Sequence, residues 1–279
     1  MPDPTNEGDQ RRREAESAAL LAMLRTRRYD LPAMVRQAKT RTRPFRQIRP
    51  TNALKANLAA PHFAIVRAWA AQVPILQAAY GQAGDALQFQ AATNTVAVSP
   101  TLTAARSAFA PVIASVERWH RGQWISRVRA STGLDVSLLT QPADVAMASA
   151  ASVAWNQALA DDLHQQIGHE LRTAALVGLS SAQPVSVVAP AMGAVIIKAR
   201  HRAARIADDQ VEKFSRAMDR GRRDAAGLTR YVWHHTQQPH PRHWHRARDG
   251  QTFGPDDIET GDRAGQPPFC KCWEEPLFT

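Results

Sequence analysis

Between Ser152 and Gly178 the chain reads SVAWNQALADDLHQQIGHELRTAALVG, and Leu159, Leu163, Ile167 and Leu171 recur every fourth residue. Asp161, Asp162, Gln165 and Gln166 fill the positions between them, so the segment predicts an amphipathic helix with one apolar stripe, ended at Gly178. His164 and His169 read as surface residues of that helix. A second stripe, Ile206, Val211, Phe214 and Met218, runs through a strongly charged segment that Gly227 closes. There the spacings Asp208 to Glu212 and Glu212 to Arg216 are those of a solvated helix face. Earlier, Ile65, Val66, Trp69 and Val73 sit at helical spacing, with a break or kink expected at Pro74. Ala18, Leu21 and Leu24 predict a short helix near the start. Residues 81–104 are weakly periodic and read as a connection with a short strand or helix. The fold expected is mainly α: a multi-helix body with a basic N-terminal arm and a small α+β C-terminal module. The expected divisions are 1–50 (short helix and arm), 51–198 (helical body) and 199–279 (C-terminal module).

Several classes are excluded early. Hydrophobic residues make up 44% of the 279, which rules out wholesale disorder. No apolar run approaches the roughly 20 residues a membrane helix needs, so no membrane partner is expected. The opening MPDPTNEGDQRRREAE has no apolar core of a signal peptide. The two cysteines are spaced Cys-x-Cys, a poor geometry for a disulfide, and synthesis in a reducing cytoplasm is expected.

The formal net charge is +10, and it is unevenly placed. From Arg25 to Arg49 there are nine Lys/Arg residues against one acid, Asp30. KTRTRPFRQIRP has two prolines, no helical period, and isolated apolar residues at Phe45 and Ile48. It predicts an extended arm presenting Arg41, Arg43, Arg46 and Arg49 either to a phosphate backbone or to an acidic protein surface.

Past Gly227 the texture changes. LTRYVWHH is aromatic and β-branched, a strand signal, and Asp249-Gly250 suggests the turn of a hairpin. A Gly/Pro-rich polar loop then leads into FCKCWEEP. Five of the ten histidines fall between His234 and His245. Zinc takes four ligands, commonly Cys sulfur and His nitrogen. Cys270, Cys272 and His245 are the best three for a structural zinc, with His243 as fourth ligand, or else Asp249, His234, His235 or His240. In a metal-free alternative Arg242 and His245 bond backbone carbonyls and the thiols are small buried hydrophobes. A catalytic alternative puts a divalent ion among the histidines with Asp249, Asp256 and Asp257, to activate water against a phosphodiester in a metal-dependent nuclease or other DNA-acting protein. A packaging motor is excluded, since there is no phosphate-binding glycine loop.

The order of these elements resembles the C-terminal signature of the phage Mu F-like minor head proteins, the phage head morphogenesis family. Ile206-Ala207 and Gln210 match its helix and Trp233 its strand. Arg242, His245, Asp249 and Gly250 match its Arg-x-x-His element and following turn. Cys270 and Cys272 match its Cys-x-Cys, with Lys271 in place of arginine. Residues from about Trp119 through Asn156 to Ala199 follow the family's helical lead. Gln238 stands where the family has an acid, and Pro267 where some relatives have a histidine. The resemblance implies a non-enzymatic, low-copy protein of the virion head, associated with the portal and acting in morphogenesis and in DNA packaging or ejection. Its implied partners are portal protein, other head proteins and packaged DNA, with no small-molecule substrate.

Overall fold

Thr51 shows how the helices begin: its hydroxyl accepts from the backbone N–H of Leu54 at 3.3 Å, one turn into a helix that runs to Gln82. A computed structural model describes residues 28–93, 98–236 and 242–278. The expected helix around Leu21, and with it His240 and Gln238, lies outside those residues. The elements in order are α1 (Leu31–Ala38), α2 (Asn52–Gln82), α3 (Ala86–Thr93), α4 (Ser99–Thr132), a 3-10 turn (Pro142–Val145), α5 (Ala146–Ser180), α6 (Val185–Ala225), β1 (Tyr231–His234), α7 (His243–Ala247), β2 (Thr252–Phe253) and β3 (Trp273–Pro276). The architecture is mainly α with one small antiparallel sheet, as the sequence predicts. The chain forms two compact units. Of the described residues, one takes those within 49–120 and 146–215; the other takes those within 28–48, 121–145 and 216–278.

The first unit is a bundle. Leu58, Ile65, Val66 and Trp69 from α2 are buried, as are Leu163, Ile167 and Leu171 of the stripe on α5. Two features differ from expectation. Of the break or kink expected at Pro74, the break does not occur: α2 stays helical through both Pro61 and Pro74. An interior proline costs about 3 kcal/mol; Trp69 before Pro74, and Leu76 and Tyr80 after it, are all buried and hold the helix together. Gly178 does not end α5, which continues to Ser180. A Cβ on Gly178 would stand 2.4 Å from Val188 Cγ2 and 2.7 Å from Tyr80 Oη, so this glycine permits close approach inside the bundle. His164 is only half-buried and accepts from Trp69 Nε1 at 3.0 Å.

The second unit is built around the end of α6. Backbone N–H groups of Arg28, Tyr29 and Leu31 donate to the carbonyls of Ala225 and Ala226, satisfying groups the helix end leaves open. Gly227 lies beyond with φ 70°, the left-handed turn expected there. The sheet has the order β2-β1-β3, all antiparallel, with Trp233 opposite Glu274 and His234 opposite Trp273. The strand at 231–234 was expected. The sequence also suggests a hairpin with its turn at Asp249-Gly250: β2 follows that turn and pairs antiparallel with β1, although residues 235–251, including α7, lie between the two strands. Gly250, with φ 76°, donates its N–H to the Trp233 carbonyl at 2.8 Å and leads the chain into β2.

The charged face of α6 is the largest departure. Arg216, Arg222 and Arg223 are buried, not solvated. Arg223 Nη1 donates to Glu274 Oε2 at 2.6 Å and its guanidinium lies 4.3 Å over the Tyr231 ring. Arg216 donates to Asp219 Oδ2 at 2.7 Å and to the Ile48 carbonyl at 3.1 Å. The basic segment 40–48 is extended as expected, but it is anchored. Phe45 is buried with its ring 5.3 Å from Trp124 and 6.3 Å from Phe278, and Ile48 is buried too.

Candidate metal centre

His245 is brought inward by α7, a helix of five residues, onto the edge of the Trp233 ring at 5.0 Å. Cys270 and Cys272 arrive on the segment leading into β3. Two apart on that segment, they share one side of the chain, and Phe269, at φ 58°, turns the chain just before them. The three ligand atoms lie within 4.8 Å of one another, and all three residues are buried.

The distances allow a test of fit. His245 Nδ1 is 3.4 Å from Cys270 Sγ and 3.7 Å from Cys272 Sγ. Tetrahedral zinc, with Zn–S near 2.3 Å and Zn–N near 2.0–2.1 Å, requires an S···N edge of about 3.6 Å. The observed pair brackets that value. The far side of the imidazole is also prepared: Nε2 is 2.9 Å from Asp262 Oδ1. Asp262 in turn accepts from Arg248 Nη1 at 2.7 Å and from Trp244 Nε1 at 3.1 Å. A ligating histidine bonded through its second nitrogen to a carboxylate is the usual outer support of a zinc site. The residues present therefore fit zinc, with His245, Cys270 and Cys272 supplying three of its positions.

Without a metal, the electrostatics of the trio favour a thiolate beside an imidazolium, whose proton a metal would displace. Burial works against charge on His245, yet hydrogen bonds to Cys270 and Asp262 outweigh it and raise its pKa. Burial would lift Asp262, but its bonds from His245, Trp244 and Arg248 hold it down at about 2. The hydrogen bond from Cys272 lowers the Cys270 pKa, helped by His245 and by the Gly265 N–H at 3.4 Å. That same bond, with burial, pushes Cys272 up. The pocket thus favours a thiolate at Cys270, the form that binds metal.

Other residues singled out in the sequence are placed elsewhere. His243 is exposed and does not join the cluster; the segment is helical, not extended, so residues two apart face different ways. Asp249 accepts from the His235 N–H at 2.8 Å. His234 stacks on Trp273 at 4.4 Å and bonds Glu275 at 2.7 Å. Arg242 donates to the Pro268 carbonyl at 3.2 Å, a loop-holding bond of the kind the metal-free reading supposed. Asp257 caps the Gly254 N–H at 2.6 Å, and neither it nor Asp256 joins the cluster among the described residues. Asp262 is the functional residue the sequence reading missed. It sits in TGDRAG, a loop with no period or spacing that ties it to a histidine seventeen residues earlier. Arg41, Arg43, Arg46 and Arg49 are all exposed. Among the described residues, no helix is long and apolar enough to cross a membrane.

Residues 146–274 match the family described as Phage Mu protein F like protein. No curated protein and no solved structure matches the chain. The matched stretch contains Trp233, Arg242, His245, Asp249, Gly250, Cys270 and Cys272, which form or surround the candidate metal centre. The resemblance of the sequence to the phage Mu F-like proteins is thus matched over residues 146–274, a little under half of the chain.

Proposed function

We propose that this chain is a non-enzymatic minor protein of the phage head, carried in the virion, that associates with the portal during assembly. One observation supports the structural reading above the catalytic one: the family's histidine and cysteines are closed off, His245 at 1%, Cys270 at 6% and Cys272 at 3% exposure. A catalytic zinc keeps an open position for water or substrate, whereas a structural one is enclosed. Zinc bound here would tie α7 to the chain entering β3 and contribute folding energy to the unit. The acids that a nuclease would need, Asp249, Asp256 and Asp257, are engaged or placed away from the histidine. Around the centre, Arg223, Glu274 and Trp233 form a packed interior with the character of a scaffold. A role in packaging or ejection would follow from the portal position.

Co-expression tests this reading. The full chain and the portal protein of the same phage, made together without the major capsid protein, should co-purify at a fixed ratio. Recovery of the chain only on the outer capsid lattice, with no portal contact, would contradict it.

A further inference from the structure

Two of the exposed arginines of the extended segment, Arg43 and Arg46, line a cleft that the sequence did not reveal. Arg43 donates its backbone N–H to the Ser131 carbonyl at 2.8 Å, and Ser131 Oγ donates to the Pro44 carbonyl at 3.3 Å. These bonds lay the segment along the last turns of α4, and buried Phe45 fixes it there, its own N–H donating to Glu275 Oε1 at 2.9 Å. Between the segment and the helix is a cleft of about 480 Å³, lined by Arg43, Pro44, Arg46, Arg127, Ala130 and Ser131. Three of its six lining residues are arginines and none is an acid. Arg127 Nε is buried and without a hydrogen-bond partner.

We infer that this cleft binds the phosphodiester backbone of nucleic acid, without reading its sequence. The volume is nucleotide-sized, larger than a single anion needs. A guanidinium presents a planar fork of donors that matches phosphate oxygens in a bidentate manner. Three such forks around one cleft leave a cationic recess whose charge nothing in its lining offsets. Holding the backbone of the segment in place beforehand leaves only side-chain ordering to be lost on binding. Arg127 is the residue that composition could not supply, since it lies eighty residues from the basic run. The assignment does not rest on portal docking, and either can fail while the other stands.

The test uses the full chain and a short mixed-sequence DNA duplex, with affinity followed across a salt series. Arg127→Gln should lower the log–log salt slope by about one, and Arg43→Gln/Arg46→Gln/Arg127→Gln by roughly three. The weakening should be equal for unrelated sequences. Arg230→Gln, an exposed arginine outside the cleft, removes the same charge and should leave the slope unchanged. An unchanged slope in the triple variant, or an equal loss in Arg230→Gln, overturns the assignment. So does displacement of the duplex by polyglutamate at equal charge concentration, which would give the cleft to an acidic protein surface. Thermal unfolding of each variant should match the parent, because Arg43 and Arg46 are exposed and Arg127 makes no ion pair with the cleft's lining.

Discussion

Asp262 Oδ1 lies 2.9 Å from His245 Nε2, on the side of the ring away from the two cysteine sulfurs. The carboxylate thereby fixes which nitrogen of His245 carries the proton and leaves Nδ1 to face Cys270 and Cys272. Replacing such an outer partner typically weakens metal binding 10- to 100-fold. Asp262→Ala should show that loss in competition with a chromophoric chelator, while the helical content stays the same. Unchanged zinc affinity would mean that the carboxylate does not orient the ligand.

Cys270→Ser would remove one of the three candidate ligands. Structural zinc supplies apparent binding energies on the order of 10 kcal/mol in small domains, so the variant should lose both its metal and the order around Trp233. Trp233 packs against His245 at 5.0 Å, and near-ultraviolet circular dichroism should report the change. Without a metal the same substitution alters one small buried group and should cost about 1 to 2 kcal/mol. The size of the loss, measured with and without chelator, separates the two cases.

Glu274 is buried between Arg223 at 2.6 Å and Arg220 at 3.7 Å. Glu274→Ala would leave Arg223 charged in the interior, and breaking a buried pair from one side costs about 3 to 5 kcal/mol. Urea unfolding should show a drop of that size. A loss below about 1 kcal/mol would indicate that water reaches the arginine.

His62 supplies a pH dependence. Burial, opposed by its bond to Asn156 Oδ1, lowers its pKa from the ordinary 6.5 to about 4. Above pH 6.5 it is neutral in both folded and unfolded chains and contributes no slope. As pH falls from 6.5 to 4 the unfolded chain takes up the proton first, so stability is lost across that window, by on the order of 3 kcal/mol. His62→Gln should flatten the stability profile in that range, as measured by denaturant titration at several pH values.

Much of this was legible in the sequence, for identifiable reasons. The helical stripes on α5 and α6, the strand at Trp233 and the trio His245, Cys270 and Cys272 depend on residue type and local period. Asp262 was not legible, because its partner is set by how a loop returns over α7. The buried arginines of α6 were not either. Charges four apart look alike on a solvated face and on one that β3 covers, and Glu274 comes fifty-one residues after Arg223. His243 was misplaced because His243 and His245 share a side on an extended chain but not on a helix. Gly178 carried the same letter as a helix terminator, and only the positions of Tyr80 and Val188 show that it admits a neighbouring side chain.

A chain built into the phage head, as proposed, is seen most directly in the composition of purified heads. Quantitative mass spectrometry of tail-free heads should find this chain at a constant low ratio to portal protein, retained after a high-salt wash. Heads that contain portal protein but none of this chain would contradict the account.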